Sequence, residues 1–145
     1  MNDIQTLQID PNEDVALQLR EAGITPTQQR IEMAEILFAC AQHLSADQIL
    51  KRVNERDKYV SKATVYNTLS LFAEKGLVRE VIADPAKVFY DSNTSAHYHL
   101  YNVDTGELID VDSTEMLLGT LPELPQHTVA TDVEVIIKIK SDTSL

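Results

Sequence analysis

The sequence predicts an α+β protein: an N-terminal winged helix-turn-helix domain over residues 1–92, then a small α/β dimerisation domain over residues 93–145. Three observations predict it. Helical periodicity with capping signals recurs through the first 76 residues and then gives way to alternating strand-like runs. A β-hairpin pattern at 77–90 follows the last of those helices directly, which is the order of a winged helix. Charge is also divided unevenly. Residues 1–80 carry 9 Lys+Arg and 12 Asp+Glu, whereas residues 81–145 carry 3 and 11.

The totals exclude several classes. With 145 residues, 43% of them hydrophobic, the chain has material for a packed core and is not globally disordered. No run approaches the roughly 18 apolar residues of a membrane span. The polar, acidic start MNDIQTLQIDPNED lacks the basic and apolar regions of a signal peptide, so a cytoplasmic protein without membrane association is expected. A net charge of −11 argues against indiscriminate nucleic-acid binding. The basic residues concentrate in the first part, so that part is the one suited to meet phosphate. The single cysteine, Cys40, sits in an apolar run and is expected in the core. It has no partner for an internal disulfide.

Taken in order, residues 1–12 read as a flexible lead. Asn12 is placed to cap a helix over 13–22 that stops at Gly23. Thr25-Pro26 reads as a cap and first helical position for a second helix through about Ala41, with Ile31, Ala34, Ile36, Leu37 and Phe38 on its apolar face. His43-Leu44 reads as a connection. Ser45 and Gln48 form a capping box for a third helix that carries Ile49, Leu50 and Val53 inward. Its end is basic: Lys51, Arg52, Arg56 and Lys58. Ser61 opens a fourth helix with the stripe Val65, Leu69, Phe72 and Ala73, ended by Gly76.

On the other side of that stripe lie Ser61, Lys62, Ala63, Thr64, Tyr66 and Asn67. Hydroxyls and amides at a helix start suit phosphates, Asn suits adenine, and Tyr or Ala suits a thymine methyl, so these residues are candidate contacts to double-stranded DNA. The competing reading of Tyr66 is a partly buried core aromatic.

The wing is expected as strands over 77–82 and 87–90 around an Asp84-Pro85 turn. Beyond the Ser92–Ser95 boundary the chain is acidic and strand-rich. In His97-Tyr98-His99 both imidazoles project from one face of a strand. Val103–Glu107 is a turn signal, and the returning strand brings Asp110 back towards them. Asp91 and His43 lie upstream. Three imidazoles and two carboxylates, His43, Asp91, His97, His99 and Asp110, suit a divalent metal such as iron(II), manganese(II) or zinc. From spacing alone, the H-x-H pair is equally consistent with a half-buried hairpin bearing two surface histidines. Ser113 reads as the cap of a short helix through Leu118. Residues 132–140 read as a strand whose apolar centre suits pairing across a homodimer.

The segments AGITPTQQR, HLSADQI, SKATVYNTL, EKGLVRE, FYDS, HYHL and GELIDV, in this order and spacing, resemble the Fur family of metal-dependent bacterial repressors over about residues 13–140. The resemblance implies a homodimeric repressor that binds operator DNA when one regulatory site holds iron(II) or manganese(II), with zinc a substitute in vitro. It maps the ligands onto His43, Asp91, His97, His99 and Asp110, and a backbone contact to DNA onto Arg30. Two Asp among the ligands, and Tyr66-Asn67 in the recognition helix, are similar to the peroxide-sensing branch. That branch implies iron-catalysed oxidation of the histidines at His43 and His97, with Asp at 110 permissive for it.

Three departures stand out. Many members of the family hold a structural zinc with two C-x-x-C pairs. The four positions of those cysteines are here Asn102, Thr105, Ile139 and Asp142, so that zinc is expected to be absent. The basic residue often found before the second helix is Thr25, which puts a minor-groove contact in doubt. Ala96 and Tyr98 stand where an additional metal site has ligands. The lack of paired cysteines is also similar to the family's haem-sensing iron-response regulators. An iron-, haem- or manganese-responsive regulator is therefore the alternative. An enzyme is not expected: there is no Ser/His/Asp arrangement, no H-E-x-x-H and no glycine-rich phosphate loop among only four glycines.

Overall fold

The computed structural model describes residues 11–40, 42–56, 59–114 and 119–144. These divide into two compact units, residues 1–94 and 95–145.

The first unit begins with α1 (Pro11–Glu21) and α2 (Gln28–Phe38). Helix α1 opens at Pro11, whose fixed φ suits a first helical position, so Asn12 lies within the helix rather than at its cap. Val15, Ala16 and Leu19 are its buried positions. Gly23, at φ +79°, donates to the Arg20 carbonyl, and Ile24 to that of Leu19, which closes the helix in a Schellman motif and tucks Ile24 into the core. Helix α2 starts later than Thr25-Pro26 suggested. Thr27 is the cap, accepting the Arg30 amide, while the Arg30 guanidinium holds the Thr25 carbonyl at 2.9 Å. The helix ends at Phe38, and Ala41 lies outside the described residues. Cys40 is therefore past the helix and exposed, not in the core.

A three-residue strand, β1 (His43–Ser45), replaces the expected connection. Ser45 then caps α3 (Ala46–Asn54) in the predicted capping box, its hydroxyl taking the Gln48 amide while Gln48 Oε1 takes its own. The helix stops at Asn54. Arg56 lies beyond it and pairs with Glu35 at 2.7 Å, and Lys58 lies outside the described residues. Asn54 closes the next turn through both Val60 backbone groups. Helix α4 (Lys62–Glu74), capped by Ser61, buries Val65, Thr68, Leu69 and Phe72, and Gly76 ends it in a second Schellman motif. Strands β2 (Arg79–Asp84) and β3 (Lys87–Asp91) form the wing, and β1 pairs with the outer side of β3, giving the order β1-β3-β2. The helices share one core that includes Leu19, Met33, Leu37, Ile49, Val53, Leu69 and Phe72.

The second unit is a three-stranded sheet of β4 (His97–Asn102), β5 (Leu108–Asp112) and β6 (Ile136–Ile139), with β4 central. β4 and β5 are antiparallel, and β6 runs parallel to β4. Strand β6 is shorter than the 132–140 run because only Ile136–Ile139 finds the β4 ladder. The helix expected after Ser113 falls mostly on residues 115–118, outside those described. In the β4–β5 turn, Gly106 takes φ +74°, and Asn102 Oδ1 accepts the amides of Asp104 and Thr105. The winged helix-turn-helix followed by a small strand-built domain is the expected fold class. Among the described residues, no helix is long and apolar enough to cross a membrane.

Candidate metal centre

Each unit brings two kinds of metal-ligand side chain together. In the first, β1 exists because it pairs with β3, and the register sets His43 directly opposite Asp91. Their side chains meet with His43 Nε2 3.5 Å from Asp91 Oδ2. Asp91 is fully buried. A carboxylate removed from water needs compensation. Its Oδ1 takes the Asn93 amide at 2.8 Å, which leaves Oδ2 to face the imidazole.

In the second unit the alternation of β4 buries His97, His99 and Tyr101 on one face. His99 lies opposite Asp110 on β5. One carboxylate oxygen, Asp110 Oδ1, stands 3.1 Å from His97 Nε2 and 3.3 Å from His99 Nε2. The two imidazole centroids are 4.5 Å apart at 66°. Asp112, opposite His97 in the register, is not part of this group. Its carboxylate is turned to the Thr114 amide and hydroxyl, which hold it below the usual carboxylate range.

The donor set fits a divalent cation, and the hydrogen bonding on His97 supplies the reason. His97 Nδ1 lies 2.7 Å from the Ser95 carbonyl oxygen. A carbonyl only accepts, so Nδ1 carries the hydrogen and, in the neutral ring, Nε2 presents a lone pair. That lone pair faces a carboxylate oxygen, which also offers only lone pairs. Two acceptors hold such a separation when a proton or a metal ion lies between them. A backbone carbonyl on the far nitrogen is the usual outer support of a metal-binding histidine. Ligand atoms about 2.1 Å from one ion stand about 3.0 Å apart at a right angle and about 3.4 Å at the tetrahedral angle. The separations of 3.1 and 3.3 Å lie in that interval.

The four positions of the absent zinc cysteines have another arrangement. Asn102 organises the β4–β5 turn, the Val103 amide donates to the Ile139 carbonyl at 2.9 Å, and the Ser141 amide donates to Asp104 Oδ2 at 2.7 Å. Asp142 accepts from Ser144. Hydrogen bonds therefore join the β4–β5 turn to the segment that follows β6.

On α4, Lys62, Ala63, Tyr66 and Asn67 are exposed opposite the buried Val65, Thr68 and Leu69. Tyr66 is 39% exposed, which decides against the core-aromatic reading. Lys62 Nζ sits 5.6 Å from the Tyr66 ring centroid. The Ser61 and Thr64 hydroxyls, 2.9 Å apart, are engaged in the cap. Arg30 is half-buried and tied to Thr25. Sequence reasoning had no signal for the Ser95 carbonyl behind His97, nor for Gln42 and Ser92, which flank the His43–Asp91 pair: these contacts involve backbone atoms, or side chains with no ligand chemistry.

A winged helix-turn-helix joined to a small sheet with convergent imidazoles and carboxylates defines the class of winged-helix metalloregulators. The sequence profile of the ferric uptake regulator family matches residues 21–139, and the chain belongs to that family. It is 30% identical over 131 residues to the peroxide-responsive repressor PerR of Staphylococcus aureus strain Mu50, covering 90% of this chain and 86% of the relative. Among solved structures, the ferric uptake regulator of Pseudomonas aeruginosa with manganese superposes with a TM-score of 0.66 at 25% identity, over 86% of this chain and 96% of that one. The Vibrio cholerae ferric uptake regulator shares the fold, with a TM-score of 0.68 at 22% identity over 87% and 98% of the two chains.

Proposed function

We propose that this chain is a homodimeric, metal-dependent transcriptional repressor that senses peroxide, with residues 1–92 binding operator DNA and residues 93–145 forming the sensing and dimerisation domain. His43, Asp91, His97, His99 and Asp110 supply three imidazole nitrogens and two carboxylates to one site for iron(II) or manganese(II). The observation that carries the reading is the geometry at His97: Nδ1 lies 2.7 Å from the Ser95 carbonyl oxygen while Nε2 stands 3.1 Å from Asp110 Oδ1, a separation that suits two ligands of one ion. Likeness to PerR of S. aureus supports the peroxide signal.

His43 and Asp91 belong to the DNA-binding part, and the other three to the second domain. Engaging all five fixes the angle between the domains and selects the conformation in which two winged helices of a dimer meet successive major-groove faces. A coupling of about 1–3 kcal/mol raises DNA affinity roughly 5- to 150-fold. Ala63, Tyr66 and Asn67 read the groove, and Lys62 meets a phosphate beside it. Ser61 and Thr64 hold the helix start towards phosphate, and Arg30 steadies the loop before α2. Iron(II) held by these five residues would supply the redox chemistry that breaks the O–O bond of peroxide, which manganese(II) would not. One peroxide oxygen would end on a ring carbon of His43 or His97 in place of its hydrogen and the other would leave as water, and the altered imidazole would no longer serve as a ligand, so DNA would be released.

The test is fluorescence anisotropy on a duplex selected by the protein from a random pool with manganese(II). Binding is measured with iron(II) and with manganese(II), before and after peroxide, followed by peptide mass spectrometry. Release of the iron form alone, with oxygen on His43 or His97, is expected. If both forms stay bound and no histidine is oxidised, the site serves iron, haem or manganese homeostasis instead.

A further inference from the structure

Gln42 stands where β1 begins and makes more directional contacts than its place in a connection would suggest. Helix α2 ends at Phe38, so its last carbonyls have no partner within the helix. Gln42 Nε2 donates to the Ile36 carbonyl at 2.6 Å and lies 3.5 Å from that of Leu37. Gln42 Oε1 accepts from Arg52 Nη1, on α3, at 3.1 Å. The carbonyls only accept and the guanidinium only donates, so the amide has one orientation. The backbone of the same residue adds a rung to the β1–β3 ladder just outside the His43–Asp91 pair: its N–H donates to Ser92 Oγ and its carbonyl accepts the Ser92 amide, both at 3.3 Å.

We propose that Gln42 is a positioning residue of the metal centre: its backbone registers His43 against Asp91, and its side-chain amide fixes that pair to the C-terminal end of α2 and to Arg52 of α3. This rests on the metal reading above. A strand of three residues has little ladder of its own. Without the Gln42 amide, the segment that leads into His43 loses its side-chain link to the C-terminal end of α2 and to Arg52 of α3. A ligand whose outer supports are lost typically binds metal tenfold to a hundredfold more weakly. The same tie gives α2 and α3 a direct mechanical link to the ligand pair.

The test uses the full chain, with manganese(II) titrated by calorimetry and cobalt(II) as the spectroscopic probe. Gln42→Met keeps the length and the backbone rung but loses both amide contacts. It is expected to bind manganese(II) about tenfold more weakly and to shift the cobalt(II) visible bands, with the metal-free melting temperature lowered by a few degrees at most and the chain still folded where metal is titrated. Gln42→Met with wild-type affinity and bands overturns the proposal. Should that variant fold poorly, Arg52→Gln and Ser92→Ala each remove one end of the tie. Each is expected to weaken manganese(II) binding severalfold, and wild-type affinity in both overturns the proposal. Wild-type protein that shows no cobalt(II) bands defeats the metal reading itself, and this inference with it.

Discussion

His97 Nε2 faces Asp110 Oδ1 across 3.1 Å while its Nδ1 is committed to the Ser95 carbonyl. The imidazole is thus held with Nε2 towards the carboxylate and its far nitrogen supported by backbone, the arrangement of a metal-binding histidine. His97→Ala removes this donor from the buried face of β4 without touching the helical core. The expected result is loss of the metal-dependent gain in DNA affinity, roughly 5- to 150-fold, with circular dichroism and gel-filtration mass unchanged. Undiminished metal response in the variant would sink the five-ligand reading.

Asp110 offers a single oxygen to two imidazoles. Asp110→Glu adds one methylene and moves the carboxylate along the same line of approach. The variant is expected to bind manganese(II) and DNA while the iron form resists release by peroxide. Release at the wild-type peroxide dose would show that the carboxylate's length does not govern sensitivity.

Cys40 is the chain's one thiol, and it is exposed, which makes it a rival target for peroxide. The histidine mechanism does not use it. Cys40→Ser is expected to leave the dose of peroxide that releases DNA unchanged. A response abolished by this substitution would move the chemistry from nitrogen ligands to sulfur.

On α4 the roles proposed for the exposed Lys62 and Asn67 are separable by experiment. Lys62→Ala is expected to weaken binding to all duplexes alike and to lower the salt slope by about one, because it removes one phosphate contact. Asn67→Ala is expected to cost about 1–3 kcal/mol on the selected duplex and little on random DNA. Anisotropy over a salt series on both duplexes checks the pair, and equal losses on both duplexes for Asn67→Ala would exclude base readout.

Ser61 caps α4 through the Thr64 amide. Ser61→Ala is expected to cost about 1 kcal/mol of stability, read as a lower urea midpoint at constant slope.

Local rules carried much of this from the sequence. The Ser45–Gln48 box, the glycines that end α1 and α4, and the H-x-H alternation each act over a few residues, and each is visible in the letters alone. The structure departs from the sequence reading where a side chain reaches back along the chain or where a partner is distant. Thr25-Pro26 read as the start of α2, but Thr27 is its cap, and the Arg30 guanidinium holds the Thr25 carbonyl ahead of the helix. Strand β1 has no strand signature of its own, because its pairing comes from Asp91 and its neighbours, far along the chain. Cys40 looked buried because the apolar run outlasts the helix that carries it.

The hydrogen bonds that join the Asn102–Thr105 turn to the end of β6 have a consequence for redox tolerance. Amides and carboxylates of the chain itself close that corner of the sheet, with no thiol among Asn102, Thr105, Ile139 and Asp142. An oxidant that strips thiolates therefore finds nothing to attack there, and the corner stays closed while the rest of the molecule responds.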